Sequence, residues 1–165
     1  RLGRLLITLL LCHEKVLSEP LLYLSLYFKQ NRQAYYALLQ EVRHTGDWEA
    51  WVKFFMDAVL DSARQAVSTA SKLTEMVRKD RATLHGMGRL AGSALRVFDC
   101  FAERPVLSVL AATHKTGLVP NTVLKVMGEV ENAGIVRETT GKKRNRLYCY
   151  DRYLNILSEG TEPLA

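Results

Sequence analysis

The sequence predicts a mainly α-helical protein with a small β-hairpin near its C-terminus. Apolar residues recur at spacings of three and four over most of the chain, as in helices with one buried face. No glycine or proline interrupts residues 47–85, so one long helix of almost 40 residues, either straight or kinked near Ser68, is expected there. Residues 135–139 and 146–150 alternate apolar and polar side chains, as the two strands of a hairpin do.

Capping signals predict the boundaries of the front helices. Ser18 can cap a helix that has Pro20 in its first turn, where the missing N–H costs little. Asn31 can cap the next helix, and Gly46 ends it because glycine readily adopts a left-handed conformation. Asp47 then caps the long helix. The front of the chain is therefore expected to consist of short helices followed by a long one.

Two apolar patterns predict the core of the front half. Residues 2–12, LGRLLITLLLC, are apolar on nearly every side, which is typical of a helix buried all round. The start of the long helix carries one apolar face, formed by Trp48, Trp51, Val52, Phe55 and Val59. We expect this face to fill a core, because aromatic clusters more often pack than bind ligands.

Three helices and the hairpin follow a hinge at the glycine-rich residues 86–92. An amphipathic helix should end before Pro105, because the residue before proline avoids the helical conformation. A short helix follows directly and ends at Gly117, and a third runs from Pro120 to Gly134. The buried stripe of this third helix should be Val123, Val126, Met127 and Val130. The last two helices, joined by a tight turn, make a helix-turn-helix.

Positive charge is concentrated in the back of the chain, whose formal net charge is +6. Residues 1–63 carry seven basic and seven acidic side chains. Residues 64–96 carry seven basic and two acidic side chains, and residues 104–152 carry nine and four. A polyanionic partner is therefore expected to meet the C-terminal half.

Cysteine and histidine spacing predicts neither a disulfide framework nor a metal site. Cys12, Cys100 and Cys149 are odd in number and far apart, which favours free thiols in a reducing, cytoplasmic compartment. The four histidines are scattered, without metal-ligand spacing. A nucleophilic His/Cys pair is less favoured than a structural role for these residues.

A membrane span is not predicted. The apolar run that follows Arg4 is far shorter than the roughly 20 residues that cross a bilayer. A secretory signal is disfavoured, because Leu11 is too large for the cleavage position before Cys12 and no methionine precedes Arg1. We expect a soluble protein without a membrane partner.

Two segments of the front half carry a family resemblance. Arg1 and Arg4 lie three residues apart, and residues 22–55 read LYLSLYFKQNRQAYYALLQEVRHTGDWEAWVKFF. Together they resemble the second half of a Fic domain, whose active-site motif H-x-F-x-[D/E]-G-N-G-R-x-x-R ends in the same arginine pair. The resemblance implies the C-terminal part of a longer protein AMP transferase, with its catalytic histidine upstream of residue 1.

The resemblance also implies ligands for that longer protein. ATP and Mg²⁺ would be its cofactors, a protein with a Ser, Thr or Tyr hydroxyl its target, and Arg1 and Arg4 its ATP phosphate ligands. Both arginines also lie in the first turn of an apolar helix, where the partial positive charge suits phosphate. The alternative is two solvated arginines at a frayed end. Because the motif's histidine, its acidic residue and its Gly-Asn-Gly are absent, we expect residues 1–165 alone to be inactive and to bind no cofactor.

The back half carries a second resemblance. Three helices and a hairpin with the basic tip TGKKRN resemble the winged helix-turn-helix domains. Residues 131–150, ENAGIVRETTGKKRNRLYCY, also resemble the C-terminal module of many bacterial Fic proteins.

A DNA-binding interpretation assigns roles to seven residues of this half. At the start of the recognition helix, Asn121, Thr122 and Lys125 would contact base edges in a major groove. Phosphates would be contacted by Lys142, Lys143, Arg144 and Arg146. Glu129 and Glu131 lie further along the same helix, where phosphates would repel them.

These patterns divide the chain into four parts. They are residues 1–60, the C-terminal helical part of a Fic domain; residues 61–88, a connecting helix and hinge; residues 89–157, a winged helix-turn-helix domain; and residues 158–165, a tail. The favoured function is part of a protein AMP transferase fused to a winged helix that binds double-stranded DNA. The alternatives are a DNA-binding transcriptional regulator, and a scaffold whose winged helix serves docking or homodimerisation.

Overall fold

The computed structural model describes residues 2–17 and 23–159 and is mainly helical, as predicted. Its helices are α1 (Leu2–His13), α2 (Leu24–Gln30), α3 (Arg32–Thr45), α4 (Trp48–His85), α5 (Ala91–Glu103), α6 (Val109–Thr116), α7 (Pro120–Asn132) and α8 (Asp151–Ser158). Its strands are β1 (Val106–Ser108), β2 (Arg137–Glu138) and β3 (Leu147–Cys149), which form one antiparallel sheet in the order β1-β3-β2.

The chain divides into two compact units. Among the described residues, those up to Ala70 belong to the first unit and those from Ser71 onward belong to the second. Helix α4 begins in the first unit and ends in the second. The first unit is entirely helical in its described part, whereas the second contains the sheet.

The capping predictions around α3 and α4 are confirmed in two of three places. Gly46 ends α3 with a left-handed φ of 74°, and Asp47 starts α4 by accepting hydrogen bonds from the backbone of Glu49 (2.9 Å) and Ala50 (3.4 Å). Asn31 precedes α3 but does not cap it, because its side-chain amide donates to the Tyr27 carbonyl (3.0 Å) instead. The predicted cap at Ser18 and Pro20 lies outside the described residues.

Helix α4 is continuous over 38 residues, which confirms the predicted long helix. Its sequence contains no glycine or proline that would interrupt the hydrogen bonding. Each unit therefore packs against its own part of the same helix.

The core of the first unit forms around Phe28. This ring lies against Tyr35 (5.1 Å between centroids), Phe54 (6.0 Å) and Trp51 (6.5 Å). Ala58 of α4 is fully buried beside it. Aromatic rings at these separations contribute more than their buried area alone, so α2, α3 and α4 are held together mainly by ring packing.

Two sequence-based burial predictions are wrong in this unit. Trp48 is 62% exposed and Val52 is 47% exposed, because the buried face of α4 centres on Trp51 and Ala58, about 60–80° from Trp48 and about 100–120° from Val52 around the helix. Helix α1 is not buried all round either. Among its described side chains, Ile7 and Leu11 pack on the core, while Leu6, Leu9 and Leu10 are at least half exposed.

The second unit has a larger core, built between α5, α7 and the sheet. Helix α7 contributes the four residues of the predicted stripe, Val123, Val126, Met127 and Val130, all of them fully buried. They pack with Val97, Phe98 and Phe101 of α5 and with Tyr148 of β3. Leu84, near the end of α4, is fully buried in the same cluster.

The predicted hairpin is confirmed, and it gains a third strand that the sequence did not reveal. Strand β2 pairs with β3 with Glu138 opposite Tyr148, and β1 pairs with the other edge of β3. The helix expected directly after Pro105 therefore begins later. The Pro105 carbonyl accepts from the backbone of Tyr150 (2.7 Å), which draws the chain into the sheet, and the Ser108 hydroxyl caps α6 by accepting from Ala111 (3.1 Å).

A buried carboxylate connects the long helix to the end of the sheet. Asp80 of α4 accepts from the Tyr150 hydroxyl at 2.5 Å and from one nitrogen of Arg152 at 2.7 and 2.8 Å. The Asp80 side chain is only 7% exposed. Burial and the neighbouring carboxylate raise the pKa of Tyr150, so its hydroxyl remains protonated and keeps donating to Asp80.

Replacing Asp80 by Ala is expected to lower the free energy of unfolding of the second unit by about 2–3 kcal/mol, because the buried Tyr150 hydroxyl loses its partner. Asp99→Ala is a matched control, since Asp99 pairs with Arg81 at 2.6 Å on the surface, where a pair contributes less than about 1 kcal/mol. Urea denaturation followed by circular dichroism measures both. Equal losses in the two variants would contradict the anchoring role.

Candidate nucleic-acid interface

Helices α6 and α7 are joined by a short turn. Helix α6 ends at Gly117, whose φ of 67° is left-handed and therefore suits glycine. The Thr116 hydroxyl donates to the Ala112 carbonyl (2.7 Å) and accepts from the Leu118 backbone (3.3 Å). Pro120 is the first residue of α7, where its missing N–H removes no intrahelical bond.

Helix α7 has one buried and one exposed face. Its apolar stripe packs into the core, and Asn121 and Lys125 lie on the exposed side with Leu124, while Thr122 is partly buried. The three residues predicted to read bases therefore lie in the first turns of a helix whose other face is fixed.

The hairpin tip carries a cluster of cations. Lys142, Lys143 and Arg144 are exposed, and Arg146 is partly buried with its Nε donating to the Lys142 carbonyl (2.9 Å). Asn145 takes a left-handed φ of 55° between them. The Arg146 hydrogen bond closes the tip, so the other three side chains point out from a short closed turn.

Two glutamates that the sequence did not single out as structural shape the hairpin. The Glu138 carboxylate accepts from the backbones of Thr140 and Gly141, each at 2.8 Å, and from the Thr140 hydroxyl. These hydrogen bonds hold the pKa of the Glu138 carboxyl below its usual range, and the bond from the Thr140 hydroxyl has the largest effect. Glu131 of α7 accepts from the Glu138 backbone (2.8 Å), so its charge supports the hairpin.

Ion pairing separates the cations of residues 104–152 into two groups. Lys115 pairs with Glu103, Arg137 with Asp151 and Arg152 with Asp80. Within residues 2–17 and 23–159, the second group makes no ion pair; its six members are Arg104, Lys125, Lys142, Lys143, Arg144 and Arg146. Five of these six, all except Arg104, belong to the set predicted to contact DNA.

The side chains of both predicted ATP phosphate ligands lie outside the described part of the chain. Arg1 lies outside the described residues, and Arg4 belongs to α1 but its side chain lies outside them as well. The first unit does contain an open cavity of about 630 Å³ that sequence reasoning missed. Its lining combines aromatic rings with two cations: Tyr23, Ser25, Phe28, Lys29, Arg32, Tyr35 and Tyr36. The Arg32 guanidinium lies 5.7 Å from the centroid of the Tyr36 ring.

The thiols and carboxylates form no obvious reactive centre in the described part of the chain. Cys100 and Cys149 are buried, and desolvation raises the pKa of both thiols, that of Cys149 to about 11. Both therefore stay protonated near neutral pH. Among the described residues, three or more His, Cys, Asp or Glu side chains nowhere come together as metal ligands would.

No protein-family model matches the chain. Of the helices within residues 2–17 and 23–159, none has the length and apolar character needed to cross a membrane.

The Glu138 carboxylate, which accepts hydrogen bonds from the backbone of the hairpin tip, should titrate below the ordinary carboxyl range. Its lowered pKa means that the carboxylate stabilises the tip above the usual pKa of about 4.5 and loses this effect as the pH falls through the lower, folded value. The Thr140 and Gly141 amide protons should therefore shift with a midpoint below 4.5 in an NMR titration. Glu138→Gln should abolish these shifts, whereas Glu129→Gln should keep them. A midpoint at or above 4.5 would rule out these hydrogen bonds of Glu138.

Proposed function

We propose that the second unit is a winged helix-turn-helix domain that binds double-stranded DNA. In this proposal α7 is the recognition helix, and the β2–β3 hairpin is the wing. Helix α7 contacts base edges in the major groove, and the wing tip contacts backbone phosphates.

The observation that carries the proposal is the set of unpaired, exposed cations. Lys125, Lys142, Lys143 and Arg144 have no acidic partner among the described residues, although three other cations of the same segment do. Clustered cations repel one another, and phosphates would neutralise them with release of counterions. Their position on both α7 and the wing matches the two contact regions of such a domain.

The neighbouring acidic residues detract less from the proposal than their charge suggests. Glu131 and Glu138 are both engaged in hydrogen bonds that shape the hairpin. Of the four acidic residues in residues 104–152, Asp151 also has a basic partner, Arg137 at 2.6 Å. Only Glu129 is exposed without a hydrogen bond or ion pair in the described part of the chain.

If the second unit binds DNA, the triple variant Lys142→Ala, Lys143→Ala, Arg144→Ala should weaken binding to every sequence. Each lost phosphate contact should make the negative slope of log affinity against log salt concentration less steep by about 0.9. Asn121→Ala or Lys125→Ala should instead change the sequence preference, by about 1–3 kcal/mol for one base contact. Fluorescence anisotropy of labelled duplexes at several salt concentrations measures both effects.

Arg137→Ala is the matched control for the wing variant, because Arg137 lies in the same hairpin but is paired with Asp151. Its salt slope should equal that of the wild type. If the wild type binds DNA no tighter than the triple variant at low salt, DNA binding is wrong. The wing would then serve docking or dimer formation instead.

We propose as a second function that the first unit is the C-terminal part of a Fic-type protein AMP transferase. The open cavity of the first unit, which is lined by aromatic rings and two cations, supports this proposal. An adenine base can stack on aromatic faces, and basic side chains can bind phosphates. Arg4 would bind ATP phosphates in the longer protein, whose catalytic histidine would precede residue 1. ATP and Mg²⁺ would be its cofactors, and a protein hydroxyl its acceptor.

Residues 1–165 alone should transfer no AMP from radiolabelled ATP, because the base that would deprotonate the target hydroxyl is missing. In a longer protein with that histidine, Arg4→Ala should reduce AMP transfer by about 100-fold, the scale of one lost transition-state hydrogen bond, with unchanged thermal stability. Arg43→Ala in α3 is a control that should leave transfer intact. AMP transfer by residues 1–165 alone would refute the assignment of this chain as the part that lacks the catalytic histidine.

A further inference from the structure

The first part of α4 exposes more apolar surface than its own core uses. Its inner residues pack into the core of the first unit: Trp51, Phe54, Phe55, Ala58 and Val59. A second row of apolar side chains lies beside them, and we call it the α4 ridge: Trp48 (62% exposed), Val52 (47%), Met56 (60%), Leu60 (49%) and Val67 (68%). With both rows counted, apolar side chains cover roughly two-thirds of the helix circumference, whereas a surface helix needs an apolar stripe little wider than about 100°.

The α4 ridge is continuous. Trp48, Val52, Met56 and Leu60 follow one another at intervals of four residues, so that each lies one turn further along the helix. Val67 continues the row seven residues later, and a shallow groove of about 380 Å³ lies beside Leu60 and Val67. A row of this kind is suited to packing against another helix.

We propose that the α4 ridge binds the α4 ridge of a second copy of this chain, with the two helices antiparallel about a two-fold axis at Met56. Residues at equal distances from Met56 then meet across the interface. Val52 packs against Leu60 of the other copy, and Trp48 meets Arg64. Both copies contribute the same residues, as an isologous interface requires.

The row is self-complementary about Met56, which favours a second copy over other occupants: Val52 and Leu60 are both apolar, and the counterpart of Trp48 is Arg64. Arg64 makes no ion pair or hydrogen bond within the described part of the chain. A guanidinium over an indole ring is a favourable contact. The two residues are 16 positions apart in one helix, roughly 24 Å, so they can meet only between two chains.

The exposed area fits a dimer of modest strength. Four apolar residues of the ridge meet a partner in this register, whereas Val67 falls opposite residue 45, outside α4. An aromatic side chain carries roughly 150–250 Å² and Val, Leu or Met roughly 60–120 Å², so Trp48, Val52, Met56 and Leu60 offer on the order of 300 Å² per copy. Two copies would bury about 600 Å² before flanking residues are counted, which is the size of a weak, transient interface. The dimer requires neither DNA nor nucleotide, so it stands apart from both proposed functions.

Sedimentation equilibrium of residues 1–165 tests the proposal directly. The wild type should form dimers at concentrations up to about 100 µM. Met56→Lys places two like charges against each other at the axis and should raise the dimer dissociation constant by about 30-fold or more. Leu110→Lys is the matched control, because Leu110 is an apolar helix residue 73% exposed outside the ridge. It should leave the dimer unchanged, and circular dichroism should show that both variants fold.

A charge swap then tests the register. Arg64→Glu removes the cation that meets Trp48, and Trp48→Arg places two cations opposite each other, so each single variant should weaken the dimer by about tenfold. The double variant restores an ion pair between copies and should bind at least about threefold tighter than either single variant.

Three results would overturn the proposal. One is a wild type that remains monomeric over this concentration range, and another is a double variant no tighter than the single variants. The third is a longer chain, with residues before Arg1, that is monomeric while residues 1–165 dimerise. The α4 ridge would then belong to the core of that longer chain.

Discussion

The buried carboxylate of Asp80 is the constraint on which the second unit depends. A charge removed from water must be hydrogen-bonded, and Asp80 meets this requirement with Tyr150 and Arg152, residues that follow β3 directly. The end of β3 is thereby fixed to α4. Since Tyr150 also donates its backbone N–H to Pro105, the same short segment holds β1 in the sheet. The position of the hairpin therefore depends on an acid that lies 70 residues before Tyr150 in the chain.

Features with local causes could be predicted from the sequence. The buried stripe of α7 follows from residue spacing, the ends of α3 and α6 from Gly46 and Gly117, and the start of α4 from Asp47. Strand β1 could not be predicted in this way. Its Val106 pairs with Cys149, 43 residues later. From the local sequence alone, residues 106–108 are equally compatible with the first turn of α6.

The candidate sites show the same division. Spacing identified the exposed polar start of α7 and the basic tip, but it could not show which cations are neutralised, because their partners are distant: Glu103 for Lys115 and Asp80 for Arg152. The burial of the front core was overestimated for a related reason. Periodicity predicts that Trp48 and Val52 are apolar positions of a helix, but the extent of the core depends on how far α2 and α3 reach around α4.

The burial of two of the three cysteines has a practical consequence. A thiol reagent at neutral pH needs an accessible thiolate, and Cys100 and Cys149 are both buried and protonated. Cys12, at the end of α1, is partly exposed. The native chain therefore offers one preferred attachment point for a fluorophore or spin label, in the first unit, without any engineered cysteine.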